Sequence, residues 1–402
     1  MRKLGCIVVI TAWLIAATAS QATLLKSFQF NGKGNWSLDA VGSNNTPVGN
    51  LRAVVPSGST VVKAFLYCSR TPSGSSTTPT IVLDGTTYGP SAWTALGINV
   101  SGSGLQAFRA DVTTQVKAKI GSGSASTNTF SVDSEDLNGE TDGEVLAIVY
   151  SNGSEVERTI AFLDGESESS GDSVKFNFAA PLSMGTGFQS LMSLGIGFSF
   201  QPSGQFSQVD VNSRRLTTSA GGQDDGAGED GALITVGGIG DDPANPSDPL
   251  AEDGAGTRAD DELYDLAQGN ASNSAPFLVN GITSFTVDTL NPSDNDNIFF
   301  MGLNVTAKGS VTGSGGGGTC LTTSDLLSQV DALELPRART RKLEREVAII
   351  GNAVSRRNSY AARANCGVLA RYLAALVRSG AVDSTTAASI ESCCDSFAAT
   401  VP

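Results

Sequence analysis

The 402-residue sequence contains no histidine. That absence removes Ser-His-Asp and Cys-His catalysis, histidine-ligated zinc, copper and haem, and any histidine proton shuttle. Charge and aromatics are also scarce, at 16% and 6% of residues, while glycine is abundant at 46. Such a composition suits a β-rich exported protein better than a helical cytosolic enzyme. Bases are fewer than acids, 26 Lys+Arg against 40 Asp+Glu, for a net charge of −14. A polyanion repels phosphate backbones and anionic lipid surfaces, so nucleic acid is not an expected partner. No Cys-x-x-Cys is present to suggest a thiolate zinc site, and no Asp-Thr-Gly or Asp-Ser-Gly to suggest an aspartic protease.

Long apolar runs are missing as well. The longest, Leu4 to Ala16, has 13 residues and follows Arg2 and Lys3. It is short for a membrane span of about 20 residues. Ala17-Thr18-Ala19 and Ser20-Gln21-Ala22 after it are small-residue cleavage patterns. Residues 1–22 therefore predict a secretory signal, with a mature start at Ser20 or Thr23 and a periplasmic or extracellular destination. An uncleaved anchor is the other reading. No membrane insertion is expected once the signal is removed. Five cysteines remain, Cys68, Cys320, Cys366, Cys393 and Cys394, and an oxidising compartment permits disulfides.

The pattern changes at residues 309–319, GSVTGSGGGGT, which predict a flexible linker. Residues 23–308 carry about a dozen short apolar runs broken by Gly, Asn, Asp and Pro. Ile81-Val82-Leu83, Asp84-Gly85, Thr86-Thr87-Tyr88 is a hairpin signature, because Asp-Gly tolerates the positive φ of a type I′ turn. Strands without crossover helices pair antiparallel. Short helices are expected only at Thr113 to Ile120 and Asp260 to Gln268. Residues 320–402 switch to a period of 3.6. Leu326, Val330 and Leu333; Leu343, Val347, Ile350 and Val354; Ala362, Cys366, Leu369, Leu373 and Leu376; and Ile390, Cys394 and Phe397 mark four amphipathic helices. The expected fold is thus mainly β, a large antiparallel β-sandwich or jelly roll followed by a small all-α bundle.

The helical part resembles the small tail modules of FIMAH type found on secreted bacterial proteins. The likeness rests on Leu326-Leu327-x-x-Val330-x-x-Leu333-x-Leu335-Pro336, Ala364-Asn365-Cys366-x-x-Leu369 and Tyr372-Leu373-x-x-Leu376-Val377. It implies architecture rather than catalysis, and the family's histidine has no counterpart here. Val62 to Tyr67, Val82-Leu83-Asp84-Gly85 and Phe108 to Val112 resemble an uncharacterised β-sandwich domain of bacterial and archaeal surface proteins. That likeness implies a structural or binding domain.

Candidate chemistry concentrates in residues 221–269, where thirteen carboxylates face one base, Arg258. Irregular loops that combine carboxylates and carbonyls suit Ca²⁺, which takes six to eight oxygens. Asp224, Asp225, Asp241, Asp242, Asp294 and Asp296 are the candidate ligands; a solvated acidic loop is the alternative. Gly237-Gly238-Ile239-Gly240-Asp241-Asp242 matches the start of a calcium-binding β-roll repeat, but a single copy cannot stack. Trp36, Trp93, Tyr67 and Tyr88 can stack on sugars or simply pack. The basic run Arg337, Arg339, Arg341, Lys342 and Arg345 is a solvated helix face or a docking patch. Cys366 and Cys394 share facing stripes, which predicts Cys366–Cys394. Cys393 then reaches Cys320, with the crossed pairing Cys320–Cys394 and Cys366–Cys393 left open. Cys68 is expected as a buried thiol outside any bridge. The functional expectation is a secreted, non-enzymatic surface, matrix or adhesion protein that binds an extracellular polymer or cell-surface component. A carboxylate-dependent hydrolase of glycosidase type is the alternative.

Overall fold

The computed structural model describes residues 24–314 except 44–45, 72–77, 99–103, 125, 136–139, 168–170, 200–206, 222–232, 242, 244–261, 271–272 and 294–296; beyond these it describes 335–382 and scattered positions from 323 to 333 and 387 to 398. The strands are β1 (Leu25–Gly42), β2 (Val48–Ala53), β3 (Thr60–Arg70), β4 (Ile81–Leu83), β5 (Thr86–Tyr88), β6 (Trp93–Ile98), β7 (Gln106–Asp111), β8 (Asn128–Asp133), β9 (Thr141–Ser151) and β10 (Glu157–Asp164). They continue with β11 (Ser173–Phe178), β12 (Ser190–Ser199), β13 (Ser207–Val211), β14 (Arg214–Ala220), β15 (Leu233–Val236), β16 (Leu263–Asp265), β17 (Ser284–Leu290), β18 (Asn297–Val305) and β19 (Gly309–Ser314). The helices are α1 (Thr113–Ile120), α2 (Arg337–Ser355) and α3 (Ser359–Arg378). All pairings of these strands are antiparallel, in three sheets.

β1 organises the β region. Residues 25–33 pair with β10, while residues 34–42 pair with β9. The change of partner falls at glycines: a Cβ on Gly34 would lie 2.1 Å from the Tyr150 carbonyl oxygen. The ten-stranded sheet that runs through β1 therefore has two halves. One contains β10, β18, β12, β15 and β16; the other contains β9, β3, β7 and β6. The halves pack face to face on an aromatic layer, with Tyr67 and Phe300 ring centroids 5.1 Å apart and Phe162 and Phe300 5.2 Å apart.

Each half is covered again on its other face. Sheet β14-β13-β17-β11-β19 closes over Ala161, Leu163, Met192, Leu194 and Met301. Sheet β2-β8-β4-β5, with α1, closes over Ala64, Leu66, Leu146 and Ile148. The result is four layers, two sandwiches back to back. Central strands are buried on both faces, which is why Val145 to Tyr150 and Ile160 to Leu163 read as continuous apolar runs. The hairpin at Asp84-Gly85 forms as expected, with φ of 47° and 77°.

Two expectations are corrected. Gly309–Ser314 is not linker: it is β19, paired with β11, with Val311 buried against Phe176 and its neighbours. The Thr and Val between its glycines are sufficient to alternate along a sheet edge. The helix expected at Asp260 to Gln268 is also absent, since Leu263–Asp265 is β16 and pairs with Leu191 to Ser193. Glu262 there is a buried anchor rather than a first-turn carboxylate.

The helical part has its own core. Leu343, Val347 and Ile350 on α2 meet Ala362, Cys366, Leu369, Leu373 and Leu376 on α3, together with Leu326, Val330, Ile390, Cys394 and Phe397. Asn358 caps α3, its side chain accepting from the Ala361 amide at 2.9 Å. The Cys366–Cys394 disulfide forms as expected from the stripes. Cys393 is also disulfide-bonded. Cys320, its expected partner, lies outside the described residues, as does the signal segment 1–22. Cys68 is buried and takes no part in a disulfide. No described helix is long and apolar enough to cross a membrane.

Candidate functional site

Strand direction brings many chain ends to one end of the β body. Gly42 lies opposite Gly143, Arg70 opposite Thr141 and Gln106, and Ile98 opposite Gln106. In the other half, Gly197 lies opposite Asn297 and Ser199 opposite Leu233. The two groups meet across the aromatic layer, because a Cβ on Gly143 would lie 2.4 Å from Ile234 Cγ2, and one on Gly197 2.0 Å from Ser69 Oγ. At this shared end lie Gly42 of β1, Arg70 of β3, Ile98 of β6, Ser199 of β12, Leu233 of β15 and Asn297 of β18.

Beneath those strand ends the aromatic layer turns polar in steps. Tyr67 donates its hydroxyl to Asp164 Oδ2 at 2.9 Å, and Arg109 Nη1 donates to both Asp164 oxygens at 2.9 and 2.7 Å. One layer further out, Ser69 Oγ donates to Asp142 Oδ2 at 2.9 Å, and Ser43 Oγ donates to Glu144. Asp142 reaches this layer through an irregularity in the ladder: Ser69 pairs with Gly143 but Arg70 pairs with Thr141, so Asp142 is the extra residue. A bulge re-aims a side chain in this way. Glu166 is buried beside it, held between Gly165 and Ser167, whose amides donate to Phe299 and Ile298 at 3.1 and 2.9 Å. Burial pushes the Glu166 carboxyl well above the ordinary carboxylate range; the Asn297 amide opposes this and the Asp142 charge adds to it.

The other buried carboxylates serve the fold. Asp39 pairs with Arg52 at 2.9 Å. Glu262 accepts from the Gly221 amide at 2.8 Å and the Thr235 hydroxyl at 2.7 Å. Asp265 accepts from the Ser190 and Ala267 amides. Asp172 accepts from the Leu24 amide at 3.3 Å, and burial pushes it up to about 6 from 3.8, against opposing hydrogen bonds from Ser167 and Leu24. Because the native pKa is raised, the protonated form favours the fold: this contribution is present below about pH 4 and lost as pH rises through about 6. Asp172→Asn is therefore expected to be more stable than wild type at pH 8, by about 1–3 kcal/mol, and similar to it at pH 4. Melting curves of both proteins at the two pH values measure the difference.

The sequence-derived calcium ligands are mostly outside the described residues: Asp224, Asp225, Asp242, Asp294 and Asp296. Asp241 is described, and its side chain accepts from the Gly238 amide within its own turn. That turn lies beyond the far end of β15 from Leu233, and the Ile239 amide donates to the Leu38 carbonyl at 2.9 Å. The glycines before it have a packing cause, since Cβ atoms on Gly237 and Gly238 would lie 2.1 and 2.3 Å from the Glu262 and Leu38 carbonyl oxygens. Among the described residues no three Asp, Glu or Cys side chains converge as a metal site. The aromatics pack: Trp36 stacks on Phe162, Tyr67 is fully buried, and Trp93 donates to the Tyr88 carbonyl at 3.1 Å. In the basic run, Lys342 lies over the Tyr372 ring at 3.8 Å, and Arg337 and Arg341 line a shallow depression with Leu335, Thr340 and Glu344. Sequence reasoning missed Asp142 and Glu166; it placed Asn297 among the oxygen-bearing residues Asp294-Asn295-Asp296-Asn297 just before the last strand. An acid next to Gly, as in Asp142-Gly143 and Gly165-Glu166, reads as a turn.

No family model matches the chain, and no curated protein matches it. Among solved structures it is similar to PNGF-II in a C2 crystal form, at 10% identity over 73% of this chain and 65% of that one, with a TM-score of 0.18. It is also similar to the major capsid protein P2 of bacteriophage PM2, at 11% identity over 72% of this chain and 100% of that one, with a TM-score of 0.17. At those TM-scores neither likeness carries a structural or functional argument.

Proposed function

We propose that the chain is a secreted, non-enzymatic surface or matrix protein that binds an extracellular polymer or cell-surface component through the loop-bearing end of its β body. The observation that carries this reading is the convergence of strand ends from both sandwiches on one end. A rigid scaffold that gathers connections at one place is the usual arrangement for recognition. As part of this reading we assign Ca²⁺ to the carboxylates of Asp224, Asp225, Asp294 and Asp296, on the acid-rich sequence around them. The helical part is read as a tail module of FIMAH type. The hydrolase reading draws less support, because four of the described buried carboxylates, Asp39, Asp164, Glu262 and Asp265, are engaged in bonds that hold the fold.

Co-sedimentation of the full chain with bacterial cell walls and insoluble polysaccharides, in millimolar CaCl₂ and in EDTA, tests this. Retention in calcium is expected, with at least a tenfold loss when residues 224–230 are replaced by Gly-Ser repeats. Equal retention of wild type and variant would overturn the assignment of the binding end. Release of new reducing ends during incubation would replace the binding reading with the hydrolytic one.

A further inference from the structure

We propose that the exposed basic face of α2 and of the turn into α3 is a second binding surface, and that it takes an acidic polysaccharide through the carboxylates on its sugar rings. From Arg337 to Arg378 the chain carries nine arginines and one lysine against two acids, Glu344 and Glu346, although the whole chain stands at −14. All ten bases are exposed, and among the described residues none of them enters an ion pair. Leu343, Val347 and Ile350 of α2 turn to the helical core. Arg337, Arg341 and Arg345 follow one another at four-residue steps, which sets them in a row on the side away from that core. Arg337, Thr340 and Arg341 line a depression of about 310 Å³ with Leu335 and Glu344. Arg356 and Arg357 follow the last turn of α2, and Arg363 lies in the second turn of α3. Tyr360 stands among these three in sequence and is 86% exposed.

This placement works against the helix that carries it. Like charges four residues apart repel, and cations in a first turn meet the positive end of the helix dipole. The first turn of α2 holds no acid, and no side chain caps it at Pro336. A polyanion along this face offsets both costs. Guanidinium forks match carboxylates bidentately, which a lysine-rich patch would not do. From Arg337 to Arg356 the helix rises about 28 Å, a span that calls for an extended ligand with repeated charge rather than one small anion. Tyr360 adds a flat apolar face with a polar tip, against which a sugar ring can stack and a bare polyphosphate cannot. At physiological salt the Debye length is about 8 Å, so the patch governs a ligand that stays on this face. A nucleic acid is more densely charged and stiffer, and the acidic remainder of the chain repels it more strongly.

The surface belongs to the helical part and needs no calcium, so it stands or falls apart from the loop-bearing end of the β body. The test is binding of the full chain to immobilised polygalacturonate in EDTA, with neutral dextran, duplex DNA and phosphatidylglycerol vesicles as the other probes. Four proteins are compared: wild type, the combined α2 variant Arg337→Gln, Arg341→Gln, Arg345→Gln, the single variant Tyr360→Ala, and the loop variant with Gly-Ser repeats at residues 224–230. The expected result is that wild type binds polygalacturonate and not dextran. Binding should weaken at least tenfold in the α2 variant and several-fold in Tyr360→Ala, and stay unchanged in the loop variant. The α2 variant should melt no lower than wild type, because it relieves like-charge repulsion, so its loss of binding would not come from unfolding. No binding of wild type to polygalacturonate, or equal binding of the α2 variant, would overturn the proposal. Tighter binding of DNA or of vesicles would overturn the polysaccharide and give the face to that partner. Binding lost in the loop variant and kept in the α2 variant would return the polymer to the loop-bearing end, and this surface would fail.

Discussion

Replacing Cys366 and Cys394 by serine is expected to lower the melting temperature of the helical module by about 15–25 °C and leave the β body unmoved. The bridge closes a segment of 28 residues between α3 and the last helical stretch. In the chain-entropy description, closing a loop of that length restricts the unfolded state by about 3–4 kcal/mol. For a module of this size each kcal/mol corresponds to about 4–8 °C. The effect is confined to the module because its apolar cluster is its own, formed by α2, α3 and the flanking helical positions. Ellipticity at 222 nm reports the helices, while near-ultraviolet ellipticity reports the aromatic layer of the β body. Two transitions, of which only the helical one shifts, is the expected outcome. A joint shift of both would show that module and body fold as one unit.

The second large effect is expected at Arg109. Its guanidinium makes both hydrogen bonds to Asp164, which is 6% exposed, and lies 4.9 Å over the Phe65 ring. Arg109→Met keeps much of the aliphatic contact and strands the Asp164 carboxylate with the Tyr67 hydroxyl. Leaving a buried charge without its counter-ion costs about 3–5 kcal/mol. The melting temperature of the β body should fall by about 6–20 °C at the 2–4 °C per kcal/mol of a larger domain. The double variant Arg109→Met, Asp164→Leu should recover most of that loss, because an apolar pair asks nothing of the interface. Thermal melts of wild type, both single variants and the double variant give the coupling directly. If Arg109→Met alone were neutral, the ion pair would contribute nothing to joining the sandwiches.

Local patterns were legible where one residue type decides the outcome. Asp84-Gly85 announced its turn. The stripes Leu343 to Val354 and Ala362 to Leu376 announced the faces that met, and with them Cys366–Cys394. The strands Ser173–Phe178 and Asn297–Val305 were legible from apolar runs. What the pattern concealed was mostly set by non-local pairing. β1 has few strong apolar residues along 18 positions, and only its partners make it one strand. Gly309–Ser314 reads as linker because edge pairing to β11 leaves no mark in composition. Leu263–Asp265 sits in an acidic context that favours a helix start until Leu191 to Ser193 offers a ladder. At the candidate site, a bulge at Asp142 cannot be read from one strand, since it exists only relative to β3. Residues 221–269 were conspicuous for thirteen acids against one base, whereas Glu166 and Asp142 lie 24 positions apart and only the fold sets one against the other.

The long first strand also sets an order of events during synthesis. Leu25 pairs with Asp164 and Gly42 with Gly143, so the first strand made waits for partners more than a hundred residues behind it. At about 5–20 residues per second that wait lasts on the order of ten seconds. During it, Phe28, Phe30 and Trp36 have no native layer to enter, and the nascent chain is a candidate for chaperone capture. Neither sandwich can close first and exclude the other, because each needs its half of the same strand. Assembly is thereby deferred until β9 and β10 exist. A chain whose first element stays uncommitted for that long remains threadable while the rest is being made.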